Sequence, residues 1–226
     1  MVTPFADLDS DPAIRGFLHL PPESNGSTIV LTHGAGSNCQ TKLLEGLSSV
    51  LAASGFTVLR FDLPFRTAHP QGPPRPGSAE RDRQGLRRAV VVMRRKTRGH
   101  LFLGGHSYGG RQSTILAAEE PEIVEGLLLL SYPLHPPRKP GELRTTHFPK
   151  LRRPCFFVHG TRDPFGTIAE MQAALKLVPA QHAIFEADGT GHDLLGRKAV
   201  SDLPARIAVA FQAFLGQVVA GRTADG

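Results

Sequence analysis

Short apolar runs recur along the chain at 28–32, 57–61, 101–104, 126–131, 155–160 and 183–186, and most of the stretches between them carry apolar residues at helical spacing. Leu43, Leu47 and Leu51 form one such stripe, and Leu86, Val90 and Met93 another. A strand that is apolar at nearly every position must be buried on both faces, whereas a sheet wetted on one side alternates apolar with polar. The pattern therefore predicts an α/β fold: a mostly parallel sheet with helices on both faces. Residues 16–20 read as an additional early strand, stopped by Pro21 and Pro22. A last helix is expected from near Pro204, a residue suited to a first helical turn, to Val219, with 221–226 fraying after it.

Two segments interrupt the rhythm. Residues 65–77 hold Pro70, Pro73, Pro74 and Pro76 with Gly72 and Gly77, which predicts a loop; residues 132–154 are proline-rich and basic. The strand–helix alternation resumes after each without a change of composition, so residues 1–226 are read as one domain. The formal net charge of +6 is local: nine basic residues against Glu80 and Asp82 lie between Arg75 and Arg98. With Leu86, Val90 and Met93 packed inward, these charges are expected to form a solvated helix face. No recognition motif or aromatic interleaving accompanies them, so nucleic acid is not expected as a partner. Cys39 and Cys155 lack the spacing of a zinc module or a disulfide framework. No unbroken apolar run reaches the roughly 18 residues of a membrane span. Asp7, Asp9 and Asp11 stand where a signal peptide would be basic and then apolar. A cytoplasmic protein with no membrane partner is expected, and its oligomeric state is left open.

The sharpest local feature is Gly104-Gly105-His106-Ser107-Tyr108-Gly109-Gly110-Arg111, between a predicted strand and a predicted helix. Gly-x-Ser-x-Gly in that setting forces the serine into a sharp, strained turn, which only small residues two before and two after can accommodate. Ser107 is thereby presented at the C-terminal edge of the sheet. A serine hydroxyl needs a base and an orienting acid. Asp163 follows the strand at 155–160, and His192 follows the one at 183–186. Asp188 and Asp193 lie too close to His192 in sequence to be placed easily opposite its ring. The order Ser107, Asp163, His192 is that of α/β-hydrolases and not of the two protease folds with the same groups.

The oxyanion of an acyl-transfer intermediate needs backbone donors. Tyr108 N–H, after the nucleophile, is one candidate; Ala35, with Gly36 as the alternative, is chosen from the glycine-rich turn Thr32-His33-Gly34-Ala35-Gly36-Ser37-Asn38. That turn lacks the Gly-Lys-Ser/Thr ending of a phosphate loop. His33 and His106 are expected in structural hydrogen bonds, and Asp62 in a turn or capping role. The ten histidines carry no HExxH-type pair, so no metal is expected, and the chemistry asks for no cofactor.

His33-Gly34-Ala35-Gly36, Phe61-Asp62-Leu63-Pro64, the Ser107 turn, residues 160–166 and Gly191-His192 together resemble the α/β-hydrolase fold superfamily. More narrowly, they resemble its small, nearly lidless predicted bacterial hydrolases related to dienelactone hydrolases. That group also includes a eukaryotic testis-expressed protein and a chromatin acetyltransferase-complex subunit. Where dienelactone hydrolases carry a cysteine nucleophile, this chain has Ser107. The resemblance implies an α/β-hydrolase fold with a minimal cap. The expected activity is a serine hydrolase acting on a small ester or thioester, preferably short-acyl, with Ser107, His192 and Asp163 in catalysis and Tyr108 and Ala35 at the oxyanion. A binding module on the same fold and an acyltransferase are the alternatives.

Overall fold

A computed structural model describes residues 1–9, 11–195 and 202–224. Eight strands form one sheet: β1 (Val2–Asp7), β2 (Ile14–His19), β3 (Thr28–Thr32), β4 (Thr57–Phe61), β5 (Leu101–His106), β6 (Gly126–Leu130), β7 (Cys155–Gly160) and β8 (His182–Ala187). Their order is β1-β2-β4-β3-β5-β6-β7-β8; β2 is antiparallel to β1 and β4, and the remaining pairs are parallel. Six helices connect them: α1 (Lys42–Ala53), α2 (Pro64–Ala68), α3 (Ser78–Arg94), α4 (Tyr108–Glu119), α5 (Ile168–Leu175) and α6 (Leu203–Ala224).

The all-apolar strands feed two cores at once, as their composition requires. Along β3, Val30 packs on the side of α3 and α4 with Leu86, Val90, Met93 and Leu116, while Ile29 and Leu31 pack on the side of α1 and α6. Successive strand side chains point to opposite faces. In β6, Leu127 and Leu129 divide from Leu128 and Leu130 in the same way. α1 contributes Leu43, Leu44, Leu47 and Leu51 to the second core, and α6 contributes Ile207, Phe211 and Phe214.

One strand stands outside the expected set, and three expectations need correction. β1 has no apolar run to announce it; it alternates exposed with half-buried positions at the sheet's edge, where Pro4 is tolerated. The stretch expected as a loop from residue 65 begins inside α2, whose Pro64 sits in the first turn. Its helical start is capped from outside: the Phe65 N–H donates to Asp82 Oδ1 at 2.9 Å. α6 continues through Gly221 to Ala224, so the fraying expected there is absent as far as residue 224, and 225–226 lie outside the described residues. α6 is also long and apolar enough to cross a membrane by length and composition, over Leu203–Gly221 with mean hydropathy 1.4. A search for an unbroken apolar run passes over it. Its Leu203, Ile207, Phe211, Phe214 and Val218 are buried in the second core, and 33% of that stretch is buried in all.

The basic stretch lies mostly on α3, and the arginines on that helix are answered by acids. Arg81 pairs with Asp11, Arg83 with Glu80 and Glu119, Arg87 with Glu120, Arg88 with Asp7 and Arg94 with Glu125. Residues 132–154 hold one short 3-10 turn, Phe148–Lys150, and drive Tyr132, Leu134, Phe148 and Leu151 into the core, while 137–143 stay exposed.

Candidate active site

The parallel strands bring the ends of β3, β5, β7 and β8 to one edge of the sheet, and the residues of interest stand there. Between β5 and α4 the turn is one residue long. Ser107 occupies it at φ 50°, ψ −114°, in the left-handed half of backbone space that a side chain normally avoids. The glycine requirement is steric. A Cβ at Gly105 would stand 2.6 Å from Thr32 O, and one at Gly109 2.6 Å from His33 O. The Ser107 N–H donates to Leu130 O at 2.8 Å, fastening the turn to β6.

Ser107, His192 and Asp163 are brought into one hydrogen-bonded chain. His192 Nε2 lies 2.7 Å from Ser107 Oγ, and His192 Nδ1 lies 2.8 and 3.0 Å from the two carboxylate oxygens of Asp163. The carboxylate only accepts, so Nδ1 carries the proton and Nε2 is left as an acceptor for the serine hydroxyl. The Asp163 side chain has no solvent exposure, and the Phe165 N–H donates to its Oδ1 at 2.9 Å. Asp188 and Asp193 serve their own turns: Asp188 accepts from Thr161 Oγ1, and Asp193 from the Leu195 N–H.

Two further groups support His192, one of them, Phe165, not singled out from sequence. The Phe165 ring stacks on His192, with centroids 4.1 Å apart and planes inclined by 31°. His106, expected in a structural hydrogen bond, donates from Nε2–H to the His192 carbonyl at 2.7 Å, fixing the loop that carries that ring. Burial pushes the His106 pKa down to about 4, so at neutral pH it is an uncharged donor. Neither contact has a sequence signal beyond the two residues' nearness to the motifs.

The turn after β3 lies against the serine: a Cβ at Gly34 would meet Ser107 Cβ at 3.4 Å. The Ala35 and Gly36 N–H groups have no acceptor among the described residues, and Tyr108 N–H opens α4, where the first amides lack intrahelical partners. His33 is in a structural hydrogen bond as expected. Its Nδ1–H donates to Gly34 O at 2.8 Å, and its Nε2 accepts from the Leu63 N–H at 3.1 Å. With Nε2 accepting and burial pushing its pKa down, the ring is neutral, so its 3.5 Å approach to Asp62 is not an ion pair. Asp62 instead accepts from the Cys39 N–H at 2.7 Å, the turn role expected of it.

Beside the serine, Tyr108 donates its hydroxyl to Asp82 Oδ2 at 2.7 Å and packs edge-on against Phe65, centroids 5.7 Å apart. Phe65 also walls a cavity of about 380 Å³ whose lining includes Pro64, Ala68, Pro73, Arg75 and Arg81. Both cysteines are buried free thiols with pKa pushed up to about 12 by burial, which leaves them inert at neutral pH.

Residues 25–212 match the family described as an alpha/beta hydrolase domain. Among solved structures, the chain is similar to a dienelactone hydrolase from Anabaena variabilis at 20% identity and a TM-score of 0.72, covering 94% of this chain and 98% of the other. It is similar to Est1E from Butyrivibrio proteoclasticus, solved with ferulic acid bound, at 15% identity and a TM-score of 0.73, covering 90% and 96%. XC6422 from Xanthomonas campestris, described as an α/β serine hydrolase without a lid, is similar at 16% identity and a TM-score of 0.74, covering 94% of each chain.

Proposed function

This chain belongs to the alpha/beta hydrolase domain family, and from that premise we propose that it is a serine hydrolase cleaving a small carboxylic ester or thioester through an acyl-enzyme. The observation that carries the reading is the continuous hydrogen-bonded chain from Ser107 Oγ through the His192 ring to Asp163. Ser107 Oγ attacks the carbonyl carbon as its proton passes to His192 Nε2. Asp163 keeps the other imidazole proton on Nδ1 and stabilises the cation that forms. The oxyanion is received by the amides of Tyr108 and Ala35. Collapse of the intermediate expels the alcohol or thiol, which takes the proton from His192. Water, deprotonated by the same ring, then releases the acid.

The strained backbone at Ser107 argues for this reading over a binding module, since a strain of about 1–3 kcal/mol is kept where a function needs it. A short acyl group is favoured because the large apolar side chains Tyr132, Leu134, Phe148 and Leu151 of residues 132–154 are buried in the core, which leaves little apolar cover for a long chain. The ferulic acid in Est1E is in keeping with a small substrate. The same reading takes residues 1–226 as one unit working in the cytoplasm, in keeping with two free, buried cysteines.

The test is a p-nitrophenyl ester series from acetate to palmitate, with wild type and Ser107→Ala. Wild type should turn over the short esters best, and the variant should lose about 10⁴-fold or more in kcat. Equal rates for the two proteins would overturn the proposal, and an optimum at palmitate would overturn its short-chain part.

A further inference from the structure

The two peptide units that present the candidate oxyanion amides are each held from behind. In a trans peptide the C=O and N–H point in opposite directions, so whatever grips the carbonyl aims the amide. Gly34 O accepts from His33 Nδ1–H at 2.8 Å and from the Ser37 N–H at 3.2 Å, which aims the Ala35 N–H away from them. Ala35 O is gripped by Arg66, which donates from Nη2 at 3.1 Å and so aims the Gly36 N–H. Arg66 also donates from Nε to Ser37 O at 2.8 Å, from Nη1 to His69 O at 3.0 Å and from Nη2 to Gly72 O at 2.9 Å.

An arginine 6% exposed as a residue whose guanidinium donates to four backbone carbonyls, with no carboxylate in ion-pair range among the described residues, is uncommon in a fold. Two of its four acceptors belong to the turn beside Ser107, and the other two to the loop after α2. Its planar fork fixes both at once, which an ammonium on a flexible stem cannot reproduce.

We propose that Arg66 is a positioning residue of the oxyanion site: by holding Ala35 O and Ser37 O its guanidinium fixes the turn that carries both the Ala35 amide chosen above and its alternative, the Gly36 amide, and it places a positive charge with no ion-pair partner among the described residues behind that turn. The inference rests on the serine hydrolase reading above. It predicts that Arg66 matters more to the transition state than to the ground state.

The experiment compares wild type, Arg66→Lys and Arg66→Met in hydrolysis of p-nitrophenyl acetate and in inhibition by a phenylboronic acid, which forms a tetrahedral adduct on an activated serine. All measurements are made well below each protein's thermal transition. Arg66→Met should lose about 10–100-fold in kcat with KM changed by less than about threefold, and Ki for the boronic acid should rise in step with the loss in kcat/KM. Arg66→Lys should recover only part, because it restores the charge without the fork.

A folded Arg66→Met with unchanged kcat and Ki would overturn the inference while leaving the hydrolase reading intact. If neither variant folds, wild type carries the test: on boronic acid binding the NMR signals of Arg66 Nε–H and of the Ala35 amide, or its alternative Gly36, should shift together, and a stationary Arg66 signal overturns the proposal. A wild type that neither hydrolyses the ester nor binds the boronic acid overturns the hydrolase reading itself, and this inference with it.

Discussion

Asp82 is fully buried on α3, and one carboxylate serves two elements of the site: Oδ1 accepts from the Phe65 N–H of α2 and Oδ2 from the Tyr108 hydroxyl of α4. Replacing it with alanine leaves the buried Phe65 N–H and the half-buried Tyr108 hydroxyl without this acceptor, at about 1–3 kcal/mol each, or about 2–6 kcal/mol together. For a chain of this length that is a fall in Tm of about 4–24 °C. Asparagine has a different consequence. Its Oδ1 keeps the Phe65 bond, and its Nδ2–H₂ can donate to a Tyr108 hydroxyl that rotates to accept.

Burial, the largest influence on Asp82, outweighs the hydrogen bonds it accepts and raises its pKa above the usual carboxylate value. The native state therefore holds this proton to higher pH than the unfolded chain does. The sign follows: wild-type stability is lost from this group as pH rises from about 4 through its native pKa, and the loss persists at neutrality. Asp82→Asn has no such ionisation, so its stability relative to wild type should improve over that range. Urea denaturation at pH 5 and pH 7.5 measures both effects. The reasoning fails if Asp82→Ala lies within about 0.5 kcal/mol of wild type, or if Asp82→Asn is as unstable as Asp82→Ala at pH 7.5.

The other predictions are shorter. Gly109→Ala should destabilise by about 1–3 kcal/mol or more, because its Cβ meets the β3 backbone at 2.6 Å, whereas Gly141→Ala, with nothing within 4 Å, should be near neutral in the same thermal melt. His19, His106 and His147 have pKa values lowered to about 4, mainly by burial. Unfolded histidines titrate near 6.5, so between about pH 6.5 and 4 the unfolded chain binds more protons at these positions and stability falls as pH falls. A Tm that stays level or rises from pH 7 to pH 5 would contradict this.

What could be read from the chain followed from burial that is local in sequence. β3 to β7 are apolar almost throughout because both faces are covered, whereas β8 at the edge is half-buried, and the glycines flanking Ser107 are demanded by contacts with β3 and His33. Asp163 could be chosen over Asp188 and Asp193 because it ends a different strand, far enough along the sheet edge to face the ring. β1 was not legible, since an edge strand buries too little to leave a pattern. α2 was hidden because its cap, Asp82, comes 17 residues after Phe65. Arg66 looks in sequence like any other arginine in a basic chain. Its difference lies in four carbonyls contributed by residues 35–37 and 69–72, which only the folded backbone assembles. The stacking of Phe165 on His192 is of the same kind.

The central claim is that Ser107 is an activated nucleophile beside an open oxyanion site, and intact-mass spectrometry after exposure to a fluorophosphonate probe tests it most directly. One adduct per chain is predicted, on the peptide bearing Ser107, absent in Ser107→Ala and strongly slowed in His192→Ala although both variants melt close to wild type. A wild type that stays unlabelled, or labelling that persists in Ser107→Ala, would contradict it.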